Sequence, residues 1–333
     1  MATVGNTFYD LADLYKSRNP DGTTADVIEM LMQTNSLIKD ANAIECNDGT
    51  THVHTIRTGY PTVTWGKLYK GIAQSKSGRA QVKDATGFCE ALSTVDERIL
   101  KLAGDQKGAV RLQEAQAFLE AMNIEMESKA FYGNTNAEPE TFMGLEPRFN
   151  DTTAENGSQI IDAGGSGSDN TSIWFVAWGP NQTNLLYPKG TEAGLRREDM
   201  GRQRVLDDNG DPYFAEEELF HWDIGIAVND WRYVSRVANI DVSEMQAGNV
   251  DLYNFLRKAY YRLRTRKVAG GRVSMYCNTD VLEALDGLAT NSGTSDNFVR
   301  LGTKEIQGEE VMTYRGIPIR ETDALINNEN AIS

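Results

Sequence analysis

Between Thr51 and Lys83 the chain carries six basic residues, Arg57, Lys67, Lys70, Lys76, Arg79 and Lys83, and no acidic one. The same stretch is rich in Thr, Val, Ile, Tyr and Trp and is punctuated by Gly59, Gly66, Gly71 and Gly78. β-Branched and aromatic residues favour strands and glycines mark turns, so the pattern predicts a long two-stranded excursion with a flexible tip. It has too little apolar content to fold alone, and its like charges repel one another and keep it extended. Taking these six charges from the formal −15 leaves −21 on the rest of the chain. That remainder holds two acidic blocks. One is "DDNGDPYFAEEE", with Asp207, Asp208, Asp211, Glu216, Glu217 and Glu218; the other is a helical stretch with Glu114, Glu120, Glu125 and Glu127. One chain therefore holds complementary patches.

The remaining composition bounds what these patches serve. With 333 residues, 40% hydrophobic and 24% charged, the chain is long enough for two modest domains with real cores. No apolar run approaches the roughly 20 residues of a membrane span, and "MATVGNTFYDLADL" has neither the basic start nor the apolar core of a signal peptide. Cys46, Cys89 and Cys277 lack metal-ligand spacing and read as free thiols of a reducing cytoplasm. A charge of −15 argues against the whole chain gripping nucleic acid, which demands clustered Lys and Arg. It suits a surface that lies near DNA without sticking to it.

Periodicity supplies the elements. Phe8, Leu11, Leu14 and Tyr15 fall at helical spacing, and Thr24 or Asp26 can cap a second short helix carrying Val27, Ile28, Leu31 and Leu37. In Arg111 to Tyr132, Leu112, Ala115, Leu119, Met122 and Met126 recur every three or four residues, the mark of one buried helix face. Gly133 and Asn134 are expected to end that helix in the left-handed cap conformation. Beyond it, "NTNAEPETF" reads as a polar loop restrained by Pro139 and Pro147 and anchored by Phe142, Met143 and Leu145. Phe220, Trp222, Ile224, Ile226 and Val228 alternate along a half-buried strand, followed by an Asn229-Asp230 turn and a second strand through Val237. The helical "LYNFLRKAYYRLRTRK", the strand "RVSMYCN", the helix "TDVLEALDGLA", a mobile "TNSGTSDN" loop and a late strand in "YRGIPIRET" predict a smaller α+β domain from about Val242 onward.

No catalytic constellation survives inspection. "GYPTVTWGKL" spaces its glycines wrongly for a phosphate loop, with Leu68 where the Mg²⁺-binding hydroxyl belongs. His52 and His54 share a strand face and could bind metal with His221 or Cys46, but the set is incomplete, so neither metal nor organic cofactor is expected. Glu216 to Glu218 reads as a solvated acidic loop and not as an acid/base pair.

The basic β-excursion followed by "VDERILKLAG", the helix ending "KAFYGNTNAEPETFMGL", and later "WDIGIAVNDWRYVSRVANID" and "TYRGIPIRETDAL" resemble major capsid proteins of tailed double-stranded DNA bacteriophages, with the HK97-like α+β fold. The resemblance covers nearly the whole chain. It implies an N-arm over 1–44, an extended hairpin called the E-loop over 45–92, a P-domain over 93–241 with its spine helix at 111–132 and sheet strands at 173–240, and an A-domain over 242–333. Having the A-domain last resembles the permuted topology of short-tailed Bordetella-type phages. The implied function is self-assembly, through pentamers and hexamers, into an icosahedral shell that encloses the genome without reading its sequence. Assembly would take place in the host cytoplasm, with a scaffolding protein, if any, supplied as a separate chain, and with portal and decoration proteins as further possible partners. No membrane is involved and no crosslink is expected. The E-loop contacts would come from the six basic residues together with Tyr60, Trp65 and Tyr69, and the surface receiving them from the two acidic blocks. An encapsulin-like compartment shares the implied fold, and a carbohydrate-acting enzyme using clustered acids is the more distant alternative.

Overall fold

A computed structural model describes Tyr9 and residues 36–207, 209–264, 266–267, 270–290, 301–306 and 309–332. Most of the two expected arm helices, Asp208 and the 291–297 part of the expected mobile loop lie outside the described residues. Helix α1 (Leu37–Asp40) leads into strands β1 (Ala43–Glu45), β2 (Thr51–Gly59) and β3 (Gly78–Asp96). Helices α2 (Glu97–Ala103) and α3 (Lys107–Tyr132) follow. Next come β4 (Ile160–Asp162), β5 (Asn170–Trp178), β6 (Thr183–Tyr187), β7 (Leu195–Leu206), β8 (Pro212–Val228) and β9 (Val234–Asp241). The rest comprises α4 (Val242–Gln246), α5 (Leu252–Arg262), β10 (Arg272–Cys277), α6 (Thr279–Thr290), β11 (Gly302–Ile306), β12 (Glu309–Tyr314) and β13 (Ile317–Glu321). Side chains start the helices as expected for N-caps: Asp96, Asp241 and Asp251 accept from the backbone N–H groups of Arg98, Glu244 and Asn254.

The long helix begins four residues before its expected start. Ala115, Met122 and Met126 are buried as the spacing requires, but Leu112 is half exposed. Its end differs from expectation too. Gly133 does not take a positive φ; a Cβ there would lie 2.5 Å from both Lys129 O and Phe142 O. The glycine is needed because the following loop folds back onto the last helical turn. Gly144 N donates to Gly133 O at 2.7 Å and Leu145 N to Ala130 O at 3.0 Å. Phe142 and Leu145 are buried anchors of this loop, as read from the sequence, while residues 136–140 stay exposed.

The chain divides into two compact units. The first contains Phe88–Glu127 and Gly194–Asp223. Within it β7 and β8 form an antiparallel hairpin running from Leu195↔Trp222 to Leu206↔Pro212, with a register shift at Gly201. Val95, Leu100, Ala103 and Val110 make a small apolar cluster against which Tyr9 packs, and Phe118 stacks on Phe220 at 5.8 Å. His221 lies between two carboxylates, Nδ1 at 2.8 Å from Glu90 Oε1 and Nε2 at 2.9 Å from Asp223 Oδ2.

The second unit holds Thr34–Gly87, Ser128–Ala193 and Ile224–Ser333. Strand β5 is its centre: it runs antiparallel to β10 on one side and to β9 on the other, and β9 pairs in parallel with β4. Beyond β10 lie the parallel β13 and then β12 and β11. Strand β6 pairs antiparallel with the end of β8 and in parallel with β1. Residues of β5, β9 and β10 share one apolar core with Leu252 and Leu256 of α5, Leu285 of α6 and Ile319 of β13. One sheet and one core run across Val242. The compact units divide inside β3, α3 and β8 and between β6 and β7.

Two buried ion networks lock this unit. Arg236 Nη2 donates to Glu329 Oε2 at 2.8 Å, its Nη1 to Phe149 O at 2.8 Å and its Nε to Ser172 Oγ at 3.0 Å. Ser172 and Tyr132 hydroxyls donate to the same Glu329 carboxylate, and Glu329 N donates to Asn170 O at 2.9 Å. Burial, then the Glu329 charge, pushes the Tyr132 hydroxyl well above its ordinary pKa. The second network centres on Asp40, which takes a two-pronged Arg320 at 2.9 and 3.0 Å and Arg272 at 3.1 Å. Removing one partner of a buried pair leaves the other charge without compensation, at a cost of about 3–5 kcal/mol. Glu329→Gln should therefore lower unfolding stability by about 3 kcal/mol, read from the urea midpoint at constant m value; an unchanged midpoint contradicts this.

A second prediction concerns pH. Burial opposes a charge on His221, but hydrogen bonds to Asp223 and Glu90 prevail and hold its pKa above the ordinary 6.5. A folded-state pKa above the unfolded one stabilises the fold fully below the unfolded value, and that stabilisation is lost as pH rises through the folded value. His221→Gln should accordingly lower the urea midpoint more at about pH 5.5 than at about pH 8.5. An equal loss at both pH values, or a larger one at the higher pH, contradicts this.

Candidate functional site

Strands β2 and β3 pair antiparallel from Thr51↔Ala85 to Ile56↔Ala80, shift register, and meet again at Gly59↔Gly78. The hairpin base is fixed by close approach, since a Cβ at Gly225 would sit 2.8 Å from Ala85 O. It is also fixed by charge, because the buried Asp84 accepts from Arg148 Nη1 at 2.7 Å. Past Gly59 the ladder ends and the tip, residues 60–77, carries no strand or helix. Two hydrogen bonds shape it, Lys70 N to Lys67 O at 3.2 Å and Ser75 Oγ to Thr62 O at 3.0 Å.

This tip is the most exposed apolar segment among the described residues. Trp65 is 95% exposed, Leu68 90% and Val63 89%, with Tyr60, Tyr69 and Ile72 beside them. Tyr69 adopts φ 65°, a left-handed conformation that costs a non-glycine residue roughly 1–2 kcal/mol. Monomeric proteins rarely present so large an apolar patch, and where they do it marks an interaction site. Arg57, Lys67, Lys70, Lys76, Arg79 and Lys83 are exposed along the same hairpin. The Arg57 guanidinium lies 5.9 Å from the Tyr60 ring centre.

The acidic residues read as a receiving surface fall into different situations. Glu216, Glu217 and Glu218 do not form a loop; they sit within β8, opposite Arg202, Gly201 and Asp199 of β7. Glu216 binds Lys107, and Arg111 Nη1 at 3.1 Å. Glu218 is buried and holds Arg197 Nε at 2.8 Å as well as Arg111. Glu217 accepts from Thr94 Oγ1 at 3.4 Å. Basic residues that the sequence reading left out, Lys107, Arg111 and Arg197, thus bring this run into the structure of its own chain. On α3, Glu127 is fully buried, Glu114 and Glu120 are half-buried, and Glu125 is exposed. Asp207 and Asp211 stay exposed at the β7–β8 turn, where Asp207 Oδ1 accepts from the backbone N–H groups of Asn209 and Asp211.

Nothing else among the described residues gathers into chemistry. No three of their His, Cys, Asp or Glu side chains are placed to hold a metal ion. His52 and His54 stack at 6.3 Å, and burial lowers the His54 pKa below 6.5. Burial pushes the Cys46 thiol up to about 11 and the Cys277 thiol up to about 12, so neither is a nucleophile at neutral pH. Missing from the sequence reading was β7, whose charged residues Arg196, Arg197, Glu198, Asp199, Arg202 and Arg204 precede the acidic block. Missing too was a second acid-free basic stretch, Leu252 to Thr279.

A family model described as "Major capsid protein GP7" matches residues 19–333. A chain of the solved bacteriophage Epsilon15 structure is 33% identical, with a TM-score of 0.78 over 100% of this chain and 99% of that one. The bacteriophage JBD30 capsid is 8% identical with a TM-score of 0.51 over 89% of this chain and 92% of that one, a likeness of fold alone. An encapsulin of Synechococcus elongatus matches at 11% identity and a TM-score of 0.46, over 70% of this chain and 96% of that one. Among curated protein sequences no relative matches. The α+β architecture is thus the HK97-like capsid fold expected from the sequence. With the family match and a one-third-identical relative each running over nearly its whole length, the chain belongs to the GP7 family of major capsid proteins, structural subunits that assemble into the virion shell.

Proposed function

We propose that each subunit holds the shell together by laying the tip of its β2–β3 hairpin on an adjacent copy of the chain, around enclosed double-stranded DNA. The observation that carries this is the tip itself, with large apolar side chains that none of the described residues covers. Magnitudes decide which of its residues dominate. Burying three aromatic side chains of roughly 150–250 Å² each, at about 25 cal/mol/Å², contributes on the order of 10 kcal/mol per tip before ordering costs. Each exposed ion pair adds only roughly 0–1 kcal/mol. Tyr60, Trp65 and Tyr69 are therefore the anchors, and Lys67, Lys70 and Lys76 set docking register and rate. For those lysines the neighbour's exposed Asp207 and Asp211 are the best-placed acceptors, because Glu216 and Glu218 are already ion-paired within their own chain.

In this reading the subunits gather as pentamers and hexamers in the host cytoplasm, with the A-domain, from about Val242, last in chain order. Scaffolding, portal and decoration proteins would act on that assembled lattice. The test is sedimentation of the purified chain. Trp65→Ser combined with Leu68→Ser and Tyr69→Ser should leave folded subunits, with an unchanged urea midpoint, that form no shells. Lys67→Glu with Lys70→Glu and Lys76→Glu should block assembly at physiological ionic strength, while each single lysine variant assembles. Normal shells from the apolar triple variant would refute the tip as the anchor, and normal shells from the lysine triple variant would refute its electrostatic part. Shells isolated with a protein cargo in place of DNA would favour a cellular compartment.

A further inference from the structure

We propose that the exposed face of α5, continued by Arg266 and by Arg315 in the β12–β13 turn, is a phosphate-binding surface that contacts the backbone of nucleic acid. The inference rests on the reading that the shell encloses DNA. It begins with charge. From Leu252 to Thr279 there are seven basic residues and no acidic one, in a chain whose formal charge is −15. Helix α5 sorts them by burial: Leu252, Leu256 and Ala259 face the core, while Arg257, Lys258, Tyr261 and Arg262 are exposed.

Two further cations join this face, held by aromatic rings in place of carboxylates. The Arg266 guanidinium lies 5.1 Å from the Tyr260 ring centre and 4.9 Å from that of Tyr261. Arg315 lies 5.4 and 5.5 Å from the same two rings, and its Nη1 donates to Tyr261 Oη at 3.1 Å. Aromatic faces position a guanidinium without neutralising it. None of Arg257, Lys258, Arg262, Arg266 and Arg315 forms an ion pair with a carboxylate among the described residues. Arg315 also sits at φ 50°, a backbone conformation that favours glycine or asparagine. A long basic side chain kept at such a position points to use of the side chain.

The surface opens into a groove lined by Arg266, Lys267, Arg272 and Lys304 beside Gly316, with two carboxylates, Asp40 and Glu305. Asp40 is already occupied by Arg320 and Arg272. Guanidinium forks match phosphate oxygens in paired hydrogen bonds, and a row of such forks follows a phosphodiester backbone without reading bases. A neighbouring copy is the weaker candidate for the same face. The densest acidic run of the chain, Glu216 to Glu218, is engaged within its own chain, which leaves few clustered carboxylates to oppose five cations.

The test is fluorescence anisotropy of a labelled duplex of about 30 base pairs titrated with the full-length subunit at stepped salt concentrations. Arg257→Gln, Lys258→Gln, Arg262→Gln and Arg315→Gln combined should weaken binding by roughly tenfold or more at low salt. The slope of log K against log salt should become shallower by roughly 3 to 4, at about 0.9 for each phosphate that is no longer neutralised. Arg98→Gln with Lys189→Gln and Arg204→Gln, three exposed basic residues that belong to neither this face nor the hairpin tip, should bind within about twofold of the parent chain, which places the effect on α5 and not on total charge. The proposal is overturned if the parent chain does not bind the duplex, if the fourfold variant keeps parental affinity and slope, or if both variants lose affinity equally. Sedimentation of the same proteins separates this from the shell reading. A fourfold variant that assembles normally but loses DNA leaves that reading intact, whereas one that keeps DNA but fails to assemble marks the face as a contact between copies and refutes the proposal.

Discussion

A two-stranded ribbon cannot bury its own tip. Toward its outer end each strand pairs only with the other, there is no second layer, and beyond Gly59↔Gly78 there is not even a ladder. Every apolar side chain placed there must wait for another molecule. The chain nonetheless puts Trp, Tyr, Leu, Ile and Val there, and interleaves them with lysines. In the docking proposed above, the apolar groups supply the free energy, and the lysines limit premature collapse, because like-charged hairpins repel at long range until an acidic surface is met. A flat uncharged hairpin of the same length would be an aggregation site.

For that arrangement to work, the body behind the hairpin must be self-sufficient. In the second unit, Asp84 and Arg148 hold the hairpin base, and Gly225 allows a backbone approach that any side chain would block. The Glu329 carboxylate gathers Tyr132, Ser172 and Arg236, so the end of the long helix, the central strands and the last residues of the chain are fastened at one buried point. Buried charges of this kind are weak evidence for extra stability, but they penalise every arrangement in which a partner is missing. In a subunit repeated many times over, a single well-defined geometry matters more than an additional kilocalorie.

Much of this was legible in the sequence because it depends on local pattern. Helical spacing marked α3, alternation marked β8, and the acid-free stretch marked the hairpin. What escaped depends on pairing across the fold. The acidic run at Glu216 reads as a solvated loop until β7 brings Arg197 beside it and the long helix brings Arg111. Gly133 reads as a left-handed cap until the returning loop shows that the space for a Cβ is taken. The return of β10 and β13 to the sheet of β5 was not legible either, because strand pairing at such separation leaves no local trace. The basic face of α5 was visible as composition and was missed because the stretch was read only as a helix.

The central claim is that the hairpin tip is ordered by a second copy of the chain and not by its own body. Hydrogen–deuterium exchange of residues 60–77, compared between free subunits and assembled shells, tests it most directly. The account predicts tip amides that exchange near the unprotected rate in the free subunit and slow by roughly a hundredfold or more in the shell, while the Thr51–Ile56 ladder is protected in both. Tip amides equally unprotected in both states, with protection on assembly confined to other surfaces, would contradict it.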